Sequence, residues 1–369
     1  MKVAHLTSVH PRFDSRIFYK ECKSLIKHGY DVKLVVADGL GTETNQGVGI
    51  IDVGRPKGRW SRIFKTSRKI FTAALNLNAD IYHLHDPELM PIGAKLKKHG
   101  KKVIFDAHED FPQQILNKLY LPRFLRIPLS GMAAWYEKQV AKRLDAVVAA
   151  TPYIRKKFEK FKCTVVDINN FPIPRELSEE SDSYGRHRHN VCYVGSLSKA
   201  RGIREMISAL NYVEPDVRLK VAGKFNEPRL ESELETYPAW SRVDMLGFLD
   251  RDGVKKTYQQ SFAGLVVLQP IPNYLDALPV KMFEYMCAGL PVIASNFELW
   301  RDIIEEAQCG ICVNPESPES IAEAINFLYK NPKKAYEIGA NGKKAVLEKY
   351  NWDLEEAKLF RLYHQLLRI

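Results

Sequence analysis

Short β-branched or aliphatic runs alternate with helical patterns along nearly the whole chain, which is the signature of parallel α/β sheets. In the first half, strands are expected near residues 2–7, 31–36, 80–84, 102–107, 145–149 and 163–167. A helix from Arg16 to Lys27 would turn Phe18, Cys22, Leu25 and Ile26 toward the sheet and stop at Gly29. The pattern breaks at Asn169-Asn170-Phe171-Pro172-Ile173-Pro174, and the polar stretch from Ser178 to Asn190 has little to bury. A second series then places strands near 191–195, 217–222, 242–246, 262–267 and 291–294. After Asn331-Pro332, two helices near 333–348 and 352–367 follow with no strand between them.

This order implies two doubly wound α/β domains. A chain of 369 residues is also too long for one core, since single cores stop growing near roughly 250–300 residues. The expected division is a first domain at 1–172, a linker at 173–190, a second domain at 191–350 and a final helix at 351–369 returning to the first domain. Open α/β sheets bind ligands at the carboxyl ends of their strands, so the expected site is a cleft between the domains. Simple dinucleotide binding is disfavoured: Thr7-Ser8-Val9-His10-Pro11 follows the first strand where G-x-G-x-x-G would stand, and P-loop spacing is absent.

Composition is ordinary for a globular protein, at 45% hydrophobic and 27% charged, so the chain should fold throughout. No run of 18 uncharged apolar residues occurs, and the expectation is a protein neither secreted nor membrane-spanning. Six scattered cysteines fit a reducing cytoplasm, and Cys309-Gly-Ile-Cys312 has no second pair to complete a zinc site, so it reads as two thiols near a strand. The net charge of +11 attracts phosphorylated ligands or anionic surfaces. Seven basic residues and no acidic one lie between Gly54 and Ala79. There Trp60, Ile63, Phe64, Phe71, Ala74 and Leu75 share one helical face, and Arg59, Arg62, Lys65 and Lys69 lie toward others. That pattern fits a helix on an anionic membrane or a core-packing helix with a solvated basic side. A second basic and apolar stretch runs from Lys118 to Ile127.

Two segments carry candidate chemistry. The second domain opens Val191-Cys-Tyr-Val-Gly195-Ser-Leu-Ser-Lys-Ala-Arg201-Gly202, a buried strand, a glycine turn and a cation before a helix, suited to a phosphate or simply solvated. Farther on, Asp276-Ala-Leu-Pro279-Val-Lys281-Met-Phe-Glu284-Tyr-Met-Cys-Ala-Gly289-Leu-Pro291-Val292 reads as a helix entered at Pro279 and ended by Gly289. Lys281 and Glu284 would share a face aimed into the cleft, with Met282, Phe283, Met286 and Cys287 on the apolar side; a solvated Lys–Glu pair is the alternative.

Here the chain resembles glycosyltransferase family 4, retaining enzymes of GT-B fold, and especially its bacterial surface-polysaccharide members with Pro-x-Lys-x-x-Glu-Tyr-Met. The resemblance extends to His10-Pro-Arg-Phe-Asp14-Ser-Arg16, Tyr82-His-Leu-His85-Asp86-Pro and Asp106-Ala-His108-Glu109-Asp110. It implies two Rossmann-like domains facing across a cleft. It also implies sugar transfer from a UDP- or GDP-sugar donor to a glycan acceptor, lipid-linked in the membrane reading. Glu284 would hold the ribose hydroxyls, Asp276 would lie near the transferred sugar, and Lys281 and Arg201 would neutralise the diphosphate beside Gly195 and Gly202.

The same resemblance places His108 by the donor sugar and acceptor hydroxyl. Asp14 and Arg16 would reach phosphate or acceptor, or form a loop-stabilising ion pair. His85 and Glu109 have acceptor-side roles beside turn or capping roles. No metal, cofactor or nucleic-acid partner is expected, because cationic side chains take the metal's place; the setting is cytoplasmic, peripheral on the inner face of the membrane. Two departures stand out: the first loop lacks the family's Gly-Gly pair, and Ser196 replaces its arginine. An epimerase of similar fold, a metal hydrolase using His83, His85, Asp86, His108 and Asp110, and a non-catalytic nucleotide-sugar-binding subunit are the rival readings.

Overall fold

The computed structural model describes residues 1–116, 121–177 and 188–367. Lys118 and its two neighbours in the second basic stretch, and most of the polar 178–190 segment, lie outside these residues. The chain divides into two compact units, Met1–Asn170 with Asp353–Ile369 and Phe171–Trp352. Both are parallel α/β folds, the fold class expected from the sequence.

Unit one holds eight strands: β1 (Lys2–Leu6), β2 (Asp31–Val36), β3 (Glu43–Asn45), β4 (Val48–Asp52), β5 (Ile81–Leu84), β6 (Lys102–Ala107), β7 (Ala146–Ala149) and β8 (Val165–Asp167). They lie in the order β3-β4-β2-β1-β5-β6-β7-β8, all parallel except β3, which pairs antiparallel with β4. Unit two holds β9 (Asn190–Val194), β10 (Arg218–Ala222), β11 (Val243–Gly247), β12 (Ser261–Val266), β13 (Val292–Ser295) and β14 (Gly310–Val313). Their order is β11-β10-β9-β12-β13-β14, wholly parallel.

In both sheets the chain moves outward in one direction from its first strand and then returns to build in the other. The order reverses between β1 and β5 and between β9 and β12, and such switch points open a crevice at the carboxyl ends of the strands. In unit one, Leu6 lies level with Leu84, so Thr7 and Ser8 meet His85 and Asp86 just past the strand ends.

Strands buried on both faces explain the near-continuous apolar runs, such as β5 and β7, in which every residue is buried. The expected helix after β1 forms as a wide π turn, Ile17–Cys22, running into the α-helix Lys23–Lys27. Phe18, Cys22 and Leu25 are buried as expected, but the wide turn also carries Lys20 and Glu21 inward. Pro332–Glu348 and Trp352–Leu367 are the two terminal helices. The second belongs to unit one, where Glu355 accepts from the Asn169 amide and the Tyr363 hydroxyl lies 2.9 Å from His83 Nδ1.

The helix Ser67–Leu77 corrects the reading of a continuous apolar membrane face. Ile70 and Ala74 are core, and Phe71 and Leu75 pack against it, so this part anchors the sheet. Only Trp60 and Phe64, ahead of it, stay exposed.

Tyr363 is a direct test of the terminal helix. Tyr363→Phe leaves His83 Nδ1 buried without its partner and should lower the unfolding free energy of unit one by about 1–3 kcal/mol, read from hydrogen exchange of β5 amides.

Candidate functional site

At the switch point of unit one, three polar loops converge. Asp86 Oδ2 accepts from the Ser8 amide at 2.6 Å and the Thr7 hydroxyl at 2.9 Å, tying the ends of β1 and β5 together. Asp14 accepts from the amides of Arg16 and Ile17, capping the wide turn, and its other oxygen lies 3.2 Å from His10 Nδ1. His108, just beyond β6, stays partly exposed, with Nε2 3.1 Å from Asp106 and its ring 4.9 Å from that of His10.

Beneath them lies a fully buried layer. Arg16 does not reach outward to a phosphate or acceptor: it donates from Nε and Nη2 to the two oxygens of Asp106 and from Nη1 to the Ile168 carbonyl. Every side of its guanidinium is committed inward. His85 is likewise internal, 2.8 Å from His5 and 3.3 Å from His108, so it acts on the surface only through His108. Glu109 is exposed, and its neighbour Asp110 does the capping, accepting from Gln113 N and Lys157 Nζ.

The charges balance locally. Burial alone would push the Asp106 carboxyl up, but Arg16, then His108, hold it well below the usual range. Burial and then the Asp106 charge push the Glu21 carboxyl well above its ordinary value. Burial keeps His5 and His83 well below theirs and brings His85 down to about 4.

Two sets of donor atoms, His5-Glu21-His83-His85 and His85-Asp106-His108, lie close enough to surround an ion. Arg16 Nε lies beside both sets, 2.9 Å from Asp106 and 3.0 Å from Glu21. Asp86 and Asp110, which the hydrolase reading requires, are spent on backbone amides and Lys157.

The switch point of unit two is built from glycine turns. A Cβ on Gly202 would sit 1.8 Å from the Val267 carbonyl oxygen past β12, so only glycine lets Arg201 and the helix Ile203–Ala209 approach. At Gly195, just past β9, a Cβ would lie 2.7 Å from Lys281 Nζ. Lys281 rises from the helix Val280–Cys287, entered at Pro279 and closed by left-handed Gly289. Its side chain is buried with Nζ 3.7 Å from the Tyr193 ring centroid, and no hydrogen-bond partner lies against that amine. Burial, then the nearby Arg201 charge, holds it well below the ordinary lysine value. Arg201 is itself steadied by the hydroxyls of Tyr193 and Tyr274.

Glu284, whose charge acts on Lys281 from the next turn of the same helix, has its own hydrogen-bond partners. Its two oxygens accept from Arg251 Nη1 at 2.7 Å and Tyr258 hydroxyl at 3.1 Å, and Arg251 also bonds Glu176. Each oxygen keeps a second lone pair for a further donor. Asp276 is exposed at the end of the helix Pro272–Leu275, where Trp300 Nε1 fixes the next residue through the Ala277 carbonyl. Thus Gly195, Arg201, Gly202 and Lys281 come together, with Glu284 one helical turn beyond Lys281. The sequence carries no signal for Arg251 and Tyr258, which reach Glu284 from distant segments, whereas Tyr193 and Asp106 stand within the quoted motifs but their support of Lys281 and His108 is visible only in the fold.

The model for Glycosyltransferase Family 4 matches residues 15–170, and that for Glycosyl transferases group 1 matches residues 178–345. Together they span most of the chain, one in each unit. The chain belongs to the family 4-like glycosyltransferases of GT-B fold. An uncharacterized glycosyltransferase of Methanocaldococcus jannaschii is 31% identical over 166 residues, 44% of this chain and 41% of that protein, less than half of the relative's length. The phosphatidyl-myo-inositol mannosyltransferase of Mycobacterium leprae is 23% identical over 77% of this chain and 73% of its own. Among solved structures, Anabaena HepE in complex with UDP-glucose superposes with a TM-score of 0.75 at 15% identity, covering 100% of both chains, a likeness of fold.

The buried imidazoles of this family member make unit one acid-sensitive. Between pH 6.5 and about 4 the unfolded chain binds a proton at His85 that the folded chain refuses. Stability therefore rises with pH across that window, by up to about 1.4 kcal/mol per pH unit for each such group. His10 runs oppositely: burial alone would lower it, but Asp14 and Asp86 raise it, so its contribution is full in acid and fades as pH rises through its raised value. Denaturant unfolding followed through unit one from pH 6.5 to 4.5 should show falling stability, since three buried imidazoles outweigh the raised Glu21 and Glu137 carboxyls, which run the opposite way, while His10 acts only at higher pH; a flat profile would refute the assignment.

Proposed function

We propose that the chain is a retaining glycosyltransferase moving a sugar from a UDP- or GDP-sugar to a hydroxyl of a lipid-linked glycan acceptor in surface-polysaccharide assembly. In this reading it works in the cytoplasm, peripheral on the inner face of the membrane, without metal or other cofactor. The observation that carries the proposal is Lys281, an unpartnered amine buried beside Arg201 beneath a glycine turn at a switch point. An anion entering there meets two cationic side chains and no Cβ in its path. The mannosyltransferase relative and the UDP-glucose complex of a protein of the same fold support a nucleotide-sugar donor.

The roles follow from the chemistry. Glu284, steadied by Arg251 and Tyr258, accepts from the vicinal ribose hydroxyls. As the bond from the anomeric carbon to the diphosphate breaks, negative charge grows on the leaving group, and Lys281 and Arg201 oppose it in a low-dielectric pocket. The acceptor hydroxyl attacks from the face that the diphosphate leaves. Asp276 lies near the transferred sugar, and His108, backed by Asp106, orients the sugar or the acceptor hydroxyl. No covalent nucleophile is assigned.

Lys281→Met should lower kcat by about 10²–10³ with little loss of stability, because the charge it removes acts most strongly in the transition state. Glu284→Gln keeps the shape but loses the ionised acceptor and should raise the donor KM by about 10- to 100-fold. Acceptor-dependent release of UDP or GDP, unaffected by a chelator, is the assay. Unchanged turnover in both variants would sink the site assignment.

A further inference from the structure

The helix Arg123–Ala141 leaves its first fourteen residues without a buried side chain; only Glu137, Val140 and Ala141, near its end, pack inward. Yet that stretch is apolar. Phe124 is 77% exposed, Ile127 75%, Met132 67% and Trp135 64%, with Leu125, Leu129 and Tyr136 also open to solvent. Phe124, Ile127 and Trp135 follow helical spacing, so they form one ridge about 16 Å long. Exposed patches of this kind on soluble proteins mark interaction surfaces.

A second exposed pair lies in the same unit: Trp60, 73% exposed, stacks on Phe64, 66% exposed, with ring planes 9° apart. The helices that carry both patches end in one core layer, a single cluster that includes Ile70, Ala74, Leu96, Val140 and Ala141, so they cover the same face of the eight-stranded sheet. Both also start from the carboxyl edge. Arg62 pairs with Glu88, which hydrogen-bonds Ser8, and Asp110, beside His108, caps the short helix preceding Arg123.

Charge indicates what covers this surface. No acidic residue occurs from Val53 to Ala79 or from Phe111 to Tyr136, whereas Arg59, Arg62, Lys65, Arg123 and Arg126 do. A second copy of the chain would bring the same positive charge against it. An anionic bilayer offers the opposite charge together with an apolar interior for the aromatic side chains. No described helix is long and apolar enough to cross a membrane, so the helix would lie in the interface.

We propose that the ridge Phe124-Ile127-Trp135, with Trp60 and Phe64, inserts into the headgroup region of an anionic lipid bilayer and holds the His108 end of unit one at the membrane surface. This deepens the lipid-linked acceptor reading by naming the surface that reaches the lipid, but binding to lipid alone is independent of catalysis.

The full chain is tested by flotation with phosphatidylcholine vesicles with and without phosphatidylglycerol, and by quenching of tryptophan fluorescence with brominated lipid. Binding should require phosphatidylglycerol, weaken with salt and quench tryptophan. A Phe124→Ser/Ile127→Ser/Trp135→Ser variant should bind about tenfold or more weakly. A Lys65→Glu/Arg123→Glu variant should lose the preference for anionic lipid. In all variants, thermal stabilisation by UDP- or GDP-sugars should be unchanged, which separates this proposal from the donor reading. Vesicle binding that is absent, or unaltered by the triple substitution, overturns it. So does a lipid-free dimer, seen by light scattering, that the triple substitution dissociates, since the ridge would then be a self-association face.

Discussion

One amine held out of water with no carboxylate against it is the constraint around which the second unit is arranged. Burying an uncompensated ammonium is costly, and a purely structural position would take an apolar residue of similar length. Lys281 is kept there by the Tyr193 ring below it and by Gly195, the one residue type whose backbone leaves it room. Gly202 lets Arg201 approach from the other side of the switch point. The strand order therefore does more than build a core: it brings two cationic side chains from separate segments to one strand edge.

The first unit handles buried charge in the opposite way. Arg16 is compensated on every side by Asp106, Glu21 and the Ile168 carbonyl, and the surrounding imidazoles are kept neutral by burial. Within that layer His5 Nε2, His83 Nε2 and both Glu21 oxygens are buried without a hydrogen-bond partner. Its function is to set His108 and Asp14 at the surface in fixed positions, as buried support fixes the geometry of exposed site residues. The unit that reads as acceptor-side pairs its buried guanidinium with a carboxylate, and the unit that reads as donor-side holds a buried amine without a hydrogen-bond partner.

Much of this was legible in the sequence because parallel strands buried on both faces leave unmistakable apolar runs. The strands that escaped were the short ones. Glu43–Asn45 is polar and Val48–Asp52 is broken from it only by Gln46-Gly47, while Gly310–Val313 was read as two thiols, both of which prove free, with Cys312 within the strand. Lys281, Glu284, Arg201 and His108 could be named from motif and position. Their environments could not, since Arg251 and Tyr258 reach Glu284 from 33 and 26 residues away. Arg16 misled for the same reason: a cation in a loop after a strand looks available until a partner 90 residues distant, Asp106, is brought to it.

The most direct test of the account is proton uptake on donor binding, measured by titration calorimetry over a pH series from neutral to about 10 in buffers of different ionisation enthalpy. Burial and Arg201 hold Lys281 well below the ordinary lysine value in the free protein, and a diphosphate beside it would restore its proton. The account predicts net proton uptake when a UDP- or GDP-sugar binds at the alkaline pH values where the free protein's Lys281, held below the ordinary lysine value, has lost its proton, and the loss of that uptake in Lys281→Met. Donor binding with no proton uptake, or with uptake unchanged in that variant, would contradict it.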